Sequence, residues 1–472
     1  MCAEATQTAL FTAVELAAVS GGKWLKDCLF DGALECYTDT RQPGAGKFFL
    51  ALTGEKFDGH DFLAQAVQAG AEALCIAEKA VDKLPEDVRV PVLTVPDTLA
   101  AYQAFARFHR MRFPDLKVIA VTGSVGKTSV KEMCRAVLAQ EFGADAVLYT
   151  IGNTNNQIGV PQNLLRLTAG HRAAVIEMGT NSPGEIEPLS RCAVPTVALI
   201  NSIAPCHLEK LGSFYGIAQE KSAVFSGLGA EGHAVIPAEC PAAELLAEKA
   251  AKYVATTFGD IAGSAAVRSE FLQGDLAGSC FALPFPDGCR QEVRWELTGA
   301  HQALNAAAAA AAARALGIAP ETIAAGLPQA KLPGMRMAKS EIGGAVWIND
   351  AYNANPASML AAFRQLVQGG LAPAELVLVL GDMLELGTFE AAEHKKVLQE
   401  ACTALAGARI VTVGPRFARA ASSLNVPEVT LCGSAAGAAR VLAKLVKSGD
   451  TVFLKGSRGI GLEKAIPENP GA

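Results

Sequence analysis

The chain has 472 residues, half of them hydrophobic and 19% charged, with a net charge of −6 and no long run of one sign. That composition builds packed cores and excludes a disordered chain, and it offers none of the basic surface that nonspecific nucleic-acid binding needs. At roughly 100–200 residues per domain, the length implies about three domains.

Residues 1–100 read as a small α/β domain. The strands KFFLAL (47–52) and ALCIAE (73–78) flank a helical stretch near FLAQAVQAGA (62–71), and Pro91 and Pro96 mark the end. Residues 101–331 form the predicted middle domain. It opens on a helix over Thr98–Met111, followed by the strand KVIAVT, a glycine-rich turn and a second helix. In that helix Val130, Met133, Cys134, Val137 and Leu138 share one face at a 3.6-residue period, with Lys131, Glu132 and Arg135 off it. AAVIEM and TVALIN are continuous apolar runs of the kind buried parallel strands show. The alanine-rich stretch 306–315 is too short to span a bilayer and is followed by Gly317 and Pro320, so it reads as a buried helix.

Residues 332–472 form the third predicted domain. VWIND, a helix from Pro356, ELVLVLG, a helix over 390–406, RIVTVG, a helix over 435–446 and TVFLKG follow one another. Strand alternating with helix implies a parallel sheet covered on both faces. The expected fold class is therefore α/β in three domains: a smaller N-terminal α/β domain, a central P-loop parallel sheet with helices on both faces, and a C-terminal Rossmann-like domain. Twelve cysteines stand singly without a CxxC pair, which fits reduced thiols and lacks the spacing of zinc or dithiol motifs. The first residues lack the basic and apolar regions of a signal peptide. A cytoplasmic monomer with no membrane or nucleic-acid partner is the expectation.

The chemistry begins at VTGSVGKTS, between the KVIAVT strand and its helix. Gly123 and Gly126 permit a tight turn whose backbone N–H groups, together with the helix N-terminus, face an anion. Lys127 supplies a point charge for the outer phosphates, and Thr128 a hydroxyl for Mg2+. The candidate ATP-binding residues here are Thr122, Gly123, Ser124, Val125, Gly126, Lys127, Thr128 and Ser129. Val121 stands where the common P-loop has its first glycine, so the loop is a variant. Alone it indicates a nucleoside triphosphate and does not separate kinase, GTPase, ligase and motor. Glu177 ends the AAVIEM strand run on the side where open parallel sheets bind ligands, and a carboxylate there suits Mg2+. His207 follows TVALINSIAP in a similar position, and Lys221 lies in GIAQEKSAVF. By residue type alone, both are more often structural or solvated.

These motifs together resemble the Mur ligase family. TGSVGKTS, GNTNNQIGVP (152–161), EMGTNSPGEI, AP-x-HLE, GAHQALN, LPGMRM, INDAYNANPASM, GDMLELG and FLKGSRG recur in the family's order over essentially the whole chain. YNANP, GDMLELG and KGSRG point to the branch that joins D-alanyl-D-alanine to UDP-N-acetylmuramoyl-tripeptide. The resemblance implies ATP and Mg2+ as cofactors, and that tripeptide and dipeptide as partners. It implies Lys127, His207 and Lys221 as catalytic, with Thr128 and Glu177 on one metal ion and His207 and Lys221, the latter as a carbamate, on a second. Asn305 would contact adenine. Arg336, Asp350, Tyr352 and Asn353 would reach the nucleotide from the third domain, making domain closure part of site assembly. Gln302 replaces the family's usual Asn and takes no role. Thr40, Arg41, Asp58, Gly59, His60, Asn155 and Asn156 are the implied contacts to the UDP-linked substrate, with Arg41 suited to a diphosphate. The alternatives are a sister ligase adding the third amino acid, whose DYAH-type string is absent, a folate polyglutamylating enzyme, and a nucleotide switch without ligase activity.

Overall fold

The computed structural model describes residues 9–25, 30–54 and 56–468. Three sheets follow one another along the chain. In the first, Leu34–Tyr37, Lys47–Leu50, Ala73–Ala77 and Val92–Val95 run parallel, and the short Leu10–Phe11 and Lys23–Trp24 strands close its edges antiparallel.

The central sheet has nine strands. Val147–Tyr149, Ala173–Glu177, Lys117–Thr122, Val197–Ile200, His233–Pro237, Val254–Asp260 and Val267–Gly274 are parallel, in that spatial order. The last two, Ser279–Pro284 and Arg290–Trp295, run antiparallel, so the expected parallel sheet ends in a meander. Local turn chemistry decides this. Asp275 Oδ1 accepts from the backbone of Ala277 and Gly278, and Gly288 takes φ +83°, which allows hairpins where a parallel connection would need a long crossover.

Alternate residues of the Lys117–Thr122 strand feed two cores. Ile119 and Val121 pack under the Lys127–Phe142 helix and the Ala300–Ala315 helix, whereas Val118 and Ala120 face Ile186–Ala193 on the other side. Alanine side chains let the Ala300–Ala315 helix bury nearly its whole circumference, as expected for this run. The phosphate-loop helix departs from its sequence reading. Lys131 and Glu132, expected off the buried face, are both buried. Lys131 Nζ lies 2.6 Å from Glu132 Oε1 and donates to the Thr150 carbonyl at 3.0 Å. A helical period identifies the most apolar stripe; here tertiary packing also covers its flank, and mutual pairing offsets the desolvation.

The Thr98–Met111 helix, capped by Asp97, is shared. Ala101, Tyr102 and Phe105 enter the core of the first sheet and Ala106 enters that of the second, so a boundary at residue 100 falls inside it. The third sheet runs Ala338–Ile342, Ala345–Asn349, Thr451–Lys455, Leu376–Gly381, Arg409–Val413 and Thr430–Cys432, with only the first strand antiparallel. Leu276 of the central meander packs against this domain's core, and Gln365 bonds Thr298 across the junction. Among the described residues no helix is long and apolar enough to cross a membrane.

Candidate active site

A cavity of about 1290 Å³ lies where the strand ends of the central sheet meet the other two domains. Its floor is the phosphate loop. Gly126, at φ +83°, caps the helix that begins at Lys127. The loop is tied to the neighbouring strand end: Ser124 N donates to Ser202 O at 2.9 Å, and Val125 N to Ser202 Oγ at 2.9 Å. Asn201 Nδ2 donates to Val125 O. A Cβ on Gly123 would sit 1.8 Å from Asn201 Oδ1, so any larger residue there would displace the Asn201 side chain. Sequence reading missed Asn201 and Ser202, because nothing near them in the chain marks their pairing with a loop about 77 residues upstream. Lys127 Nζ lies over the loop, donating to Gly123 O at 2.9 Å. Ser124 to Ser129 line the cavity. Thr122 does not. Its hydroxyl is buried and donates to Met178 O at 2.9 Å, so it holds strands together rather than a ligand.

Glu177 is buried at its strand end. Its Oε1 accepts from Asn155 Nδ2 at 2.8 Å, while Oε2 has no hydrogen-bond partner. A buried, unsatisfied carboxylate oxygen at the wall of the cavity is the arrangement a hard cation satisfies. Thr128 and His207 line the same cavity, so the oxygen and nitrogen donors there are of the types that suit a divalent metal. Asn155, expected on the UDP-linked substrate, lines the cavity and also donates to this carboxylate. Asn156 Oδ1 accepts from Ile158 N and Gly159 N, so its acceptor is committed to the start of the Gly159–Leu164 helix, although the residue lines the cavity.

Lys221 is buried and forms no ion pair among the described residues. Burial, together with the positive charge of Lys127, lowers its ammonium to about 8. The preceding residue, Glu220, accepts from Gly184 N, Glu185 N and Ile186 N, fixing the loop beside it.

The third domain reaches over this floor. Arg336 Nη2 donates to Thr128 Oγ1 at 3.1 Å, and its guanidinium carbon stands 3.6 Å from the centroid of the Tyr352 ring. Asp350 Oδ2 lies 2.5 Å from Lys455 Nζ, which also donates to Asn353 O. Lys455 sits in the KGSRG string but received no role from sequence. Asn305 abuts Gly126 and donates to Gln302 Oε1 at 3.1 Å. Burial pushes His301 down to about 4, so its ring is neutral at physiological pH.

The expected UDP-end residues behave differently. Thr40, Arg41, Asp58, Gly59 and His60 are not on the cavity wall. Arg41 is exposed and pairs with Asp39 at 2.6 Å. His60 is buried with both nitrogens committed: Nδ1 lies 2.6 Å from Asp58 Oδ1, and Nε2 accepts from Ala77 N. A Cβ on Gly59 would meet Leu52 O at 2.7 Å. Asp58, Gly59 and His60 close the loop before them, whose Thr53, Gly54, Lys56 and Phe57 do line the cavity. Phe57 of that loop is 73% exposed.

Three family models match the chain: the Mur ligase family catalytic domain over residues 36–110, the Mur ligase middle domain over 121–313, and the Mur ligase glutamate ligase domain over 335–458. The UDP-N-acetylmuramoyl-tripeptide–D-alanyl-D-alanine ligase of Escherichia coli is 36% identical over 91% of this chain and 92% of its own. The crystal structure of MurF from Acinetobacter baumannii superposes with a TM-score of 0.88 at 32% identity, covering 97% of this chain and 98% of that one. MurF from Thermotoga maritima in complex with ADP superposes with a TM-score of 0.79 at 25% identity, covering 92% and 96%. With its phosphate loop, strand-end carboxylate and overhanging third domain, the chain belongs to the Mur ligase family of ATP-dependent, amide-forming ligases.

Proposed function

We propose that the protein adds D-alanyl-D-alanine to UDP-N-acetylmuramoyl-tripeptide, using ATP and Mg2+ and passing through an acyl phosphate. The observation that carries this reading is the single cavity walled by the phosphate loop, by Glu177 and by third-domain residues from Arg336 to Arg458. Its relatives bear that activity in their names.

In the first step a tripeptide carboxylate oxygen attacks the γ-phosphorus of ATP. The bond to the ADP oxygen breaks, leaving an acyl phosphate and ADP. Lys127 and the loop amides hold the phosphates, and Arg336 approaches from the third domain, so residues on both sides meet the developing charge. Mg2+ bound by Thr128 and Glu177 would supply neutralising charge, and His207 with Lys221 would serve a second ion. A lysine lowered to about 8 exposes a larger neutral fraction, the form that adds carbon dioxide to give a carbamate and a proton. In the second step the dipeptide amine attacks the acyl carbonyl, the tetrahedral intermediate expels phosphate, and the amine loses its extra proton. No side chain is assigned as the base for that proton. The dipeptide is expected beside Leu384, Ser457 and Arg458, near the strand ends of the third sheet.

Phosphate release measured with ATP, tripeptide and dipeptide each omitted in turn tests the reading, with the amide product identified by mass. Release should require all three. Release indifferent to both peptides would leave a nucleotide switch, and release with a single amino acid in place of the dipeptide would leave a sister ligase.

A further inference from the structure

The GDMLELG segment of the third domain carries a carboxylate that the mechanism above does not use. Glu385 Oε2 lies 2.6 Å from His207 Nδ1 across the domain junction. Both residues occupy the left-handed region, His207 at φ +49° and Glu385 at φ +64°. Non-glycine residues avoid that region at a cost of about 1–3 kcal/mol each, and persist there where surrounding structure imposes it at functional sites. Two such residues meeting across a junction is not a packing accident to be expected from either loop alone.

The loop presenting Glu385 is firmly held. Asp382 N donates to Val413 O, Met383 N to His394 Nε2 at 2.9 Å, and Leu384 N to Ser457 Oγ at 2.9 Å. The buried Asp382 carboxylate accepts from Arg416 N and Phe417 N, fixing the loop to the Pro415–Leu424 helix. Two residues on, Gly387 comes so close to the short Leu208–Leu211 helix that a Cβ would meet Glu209 Cα at 3.1 Å. That helix starts directly after His207, so the third domain docks against the segment that aims the imidazole.

We propose that Glu385 is a positioning residue for His207. The carboxylate engages Nδ1, fixes the ring and its tautomer, and leaves Nε2 for the divalent cation, so this half of the metal site is complete only when the third domain is seated. The chemistry is that of a metal-bound histidine whose other ring nitrogen is held by a carboxylate. Here that carboxylate comes from a different domain, 178 residues along the chain. The inference rests on the reading of His207 as a cation ligand.

The test uses the full chain with saturating ADP, following Mn2+ binding by electron paramagnetic resonance, alongside the Mg2+ dependence of ligation. Glu385→Gln keeps the size and removes the charge. Glu385→Gly deletes the carboxylate while suiting the left-handed backbone, so its melting temperature should equal or exceed that of the wild type. Both variants should weaken one Mn2+ site about tenfold or more and raise the Mg2+ half-saturation in step, with kcat restored to within a few-fold at saturating Mg2+. Wild-type Mn2+ affinity in both variants, with His207→Ala weakened, would overturn the role of Glu385 and leave His207 as a ligand. Wild-type affinity in His207→Ala would overturn the ligand reading and this proposal with it. A kcat loss that Mg2+ does not restore, at unchanged Mn2+ affinity, would make Glu385 a substrate contact and overturn the proposal as well.

Discussion

Replacing Lys221 by methionine should stabilise the protein and abolish its activity. The side chain is 1% exposed, has no ion-pair partner among the described residues, and lies near the positive charge of Lys127. Its ammonium falls from 10.5 to about 8. At about 1.4 kcal/mol per pH unit, burying the charged form costs about 3 kcal/mol. Methionine fills a similar volume without a charge, so most of that cost disappears. The sign in pH follows from linkage. Below about pH 8 the lysine is protonated both folded and unfolded, and the penalty is present in full. Between about 8 and 10.5 the folded protein sheds the proton while the unfolded chain keeps it, so wild-type stability rises relative to the variant and the gap closes. Scanning calorimetry in buffer purged of carbon dioxide, which keeps the amine unmodified, is the assay. For a domain of this size about 3 kcal/mol corresponds to roughly 6–12 °C at pH 7. A methionine variant no more stable than wild type at pH 7, or a gap that does not narrow by pH 9.5, would refute the claim that a net unfavourable buried charge sits there.

Gly123→Ala should raise the KM for ATP more than tenfold, because its Cβ would lie 1.8 Å from Asn201 Oδ1; adding Asn201→Gly should recover part of the loss, and full activity in the single variant would contradict the close approach. Glu177→Gln should raise the Mg2+ half-saturation of phosphate release about tenfold or more while leaving the fold intact by circular dichroism. Arg110→Met should cost about 3 kcal/mol in denaturant unfolding with KM values unchanged. The buried Arg110 guanidinium bonds the carbonyls of Phe113, Leu116, Ala193 and Val194, and it does not line the cavity. Lys127→Ala should reduce tripeptide-dependent phosphate release at least a hundredfold, and retained activity would remove the phosphate loop from the mechanism.

Much of the protein is legible locally. A strand, a glycine turn and Lys-Thr at the start of a helix announce a phosphate site, because glycine's backbone freedom and a helix N-terminus are properties of consecutive residues. Apolar runs alternating with amphipathic stretches announce the layered sheets, since each period reports how a segment meets its neighbours. Glu177 at a strand end was legible for the same reason. What a polar side chain bonds to was not. His60 looked like a ligand contact and is an internal brace; Asn155, expected on substrate, also holds a carboxylate at the cavity wall; Lys131, read as off the apolar helix face, is buried against Glu132. Asn201, Lys455 and Glu385 carried no local sign, because their partners lie tens to hundreds of residues away. Secondary structure and the anion loop follow from near-neighbour sterics and hydrogen bonding, which sequence spacing encodes. The pairing of charges across a cavity depends on which distant segments packing brings within a few ångströms, and only the tertiary structure decides that.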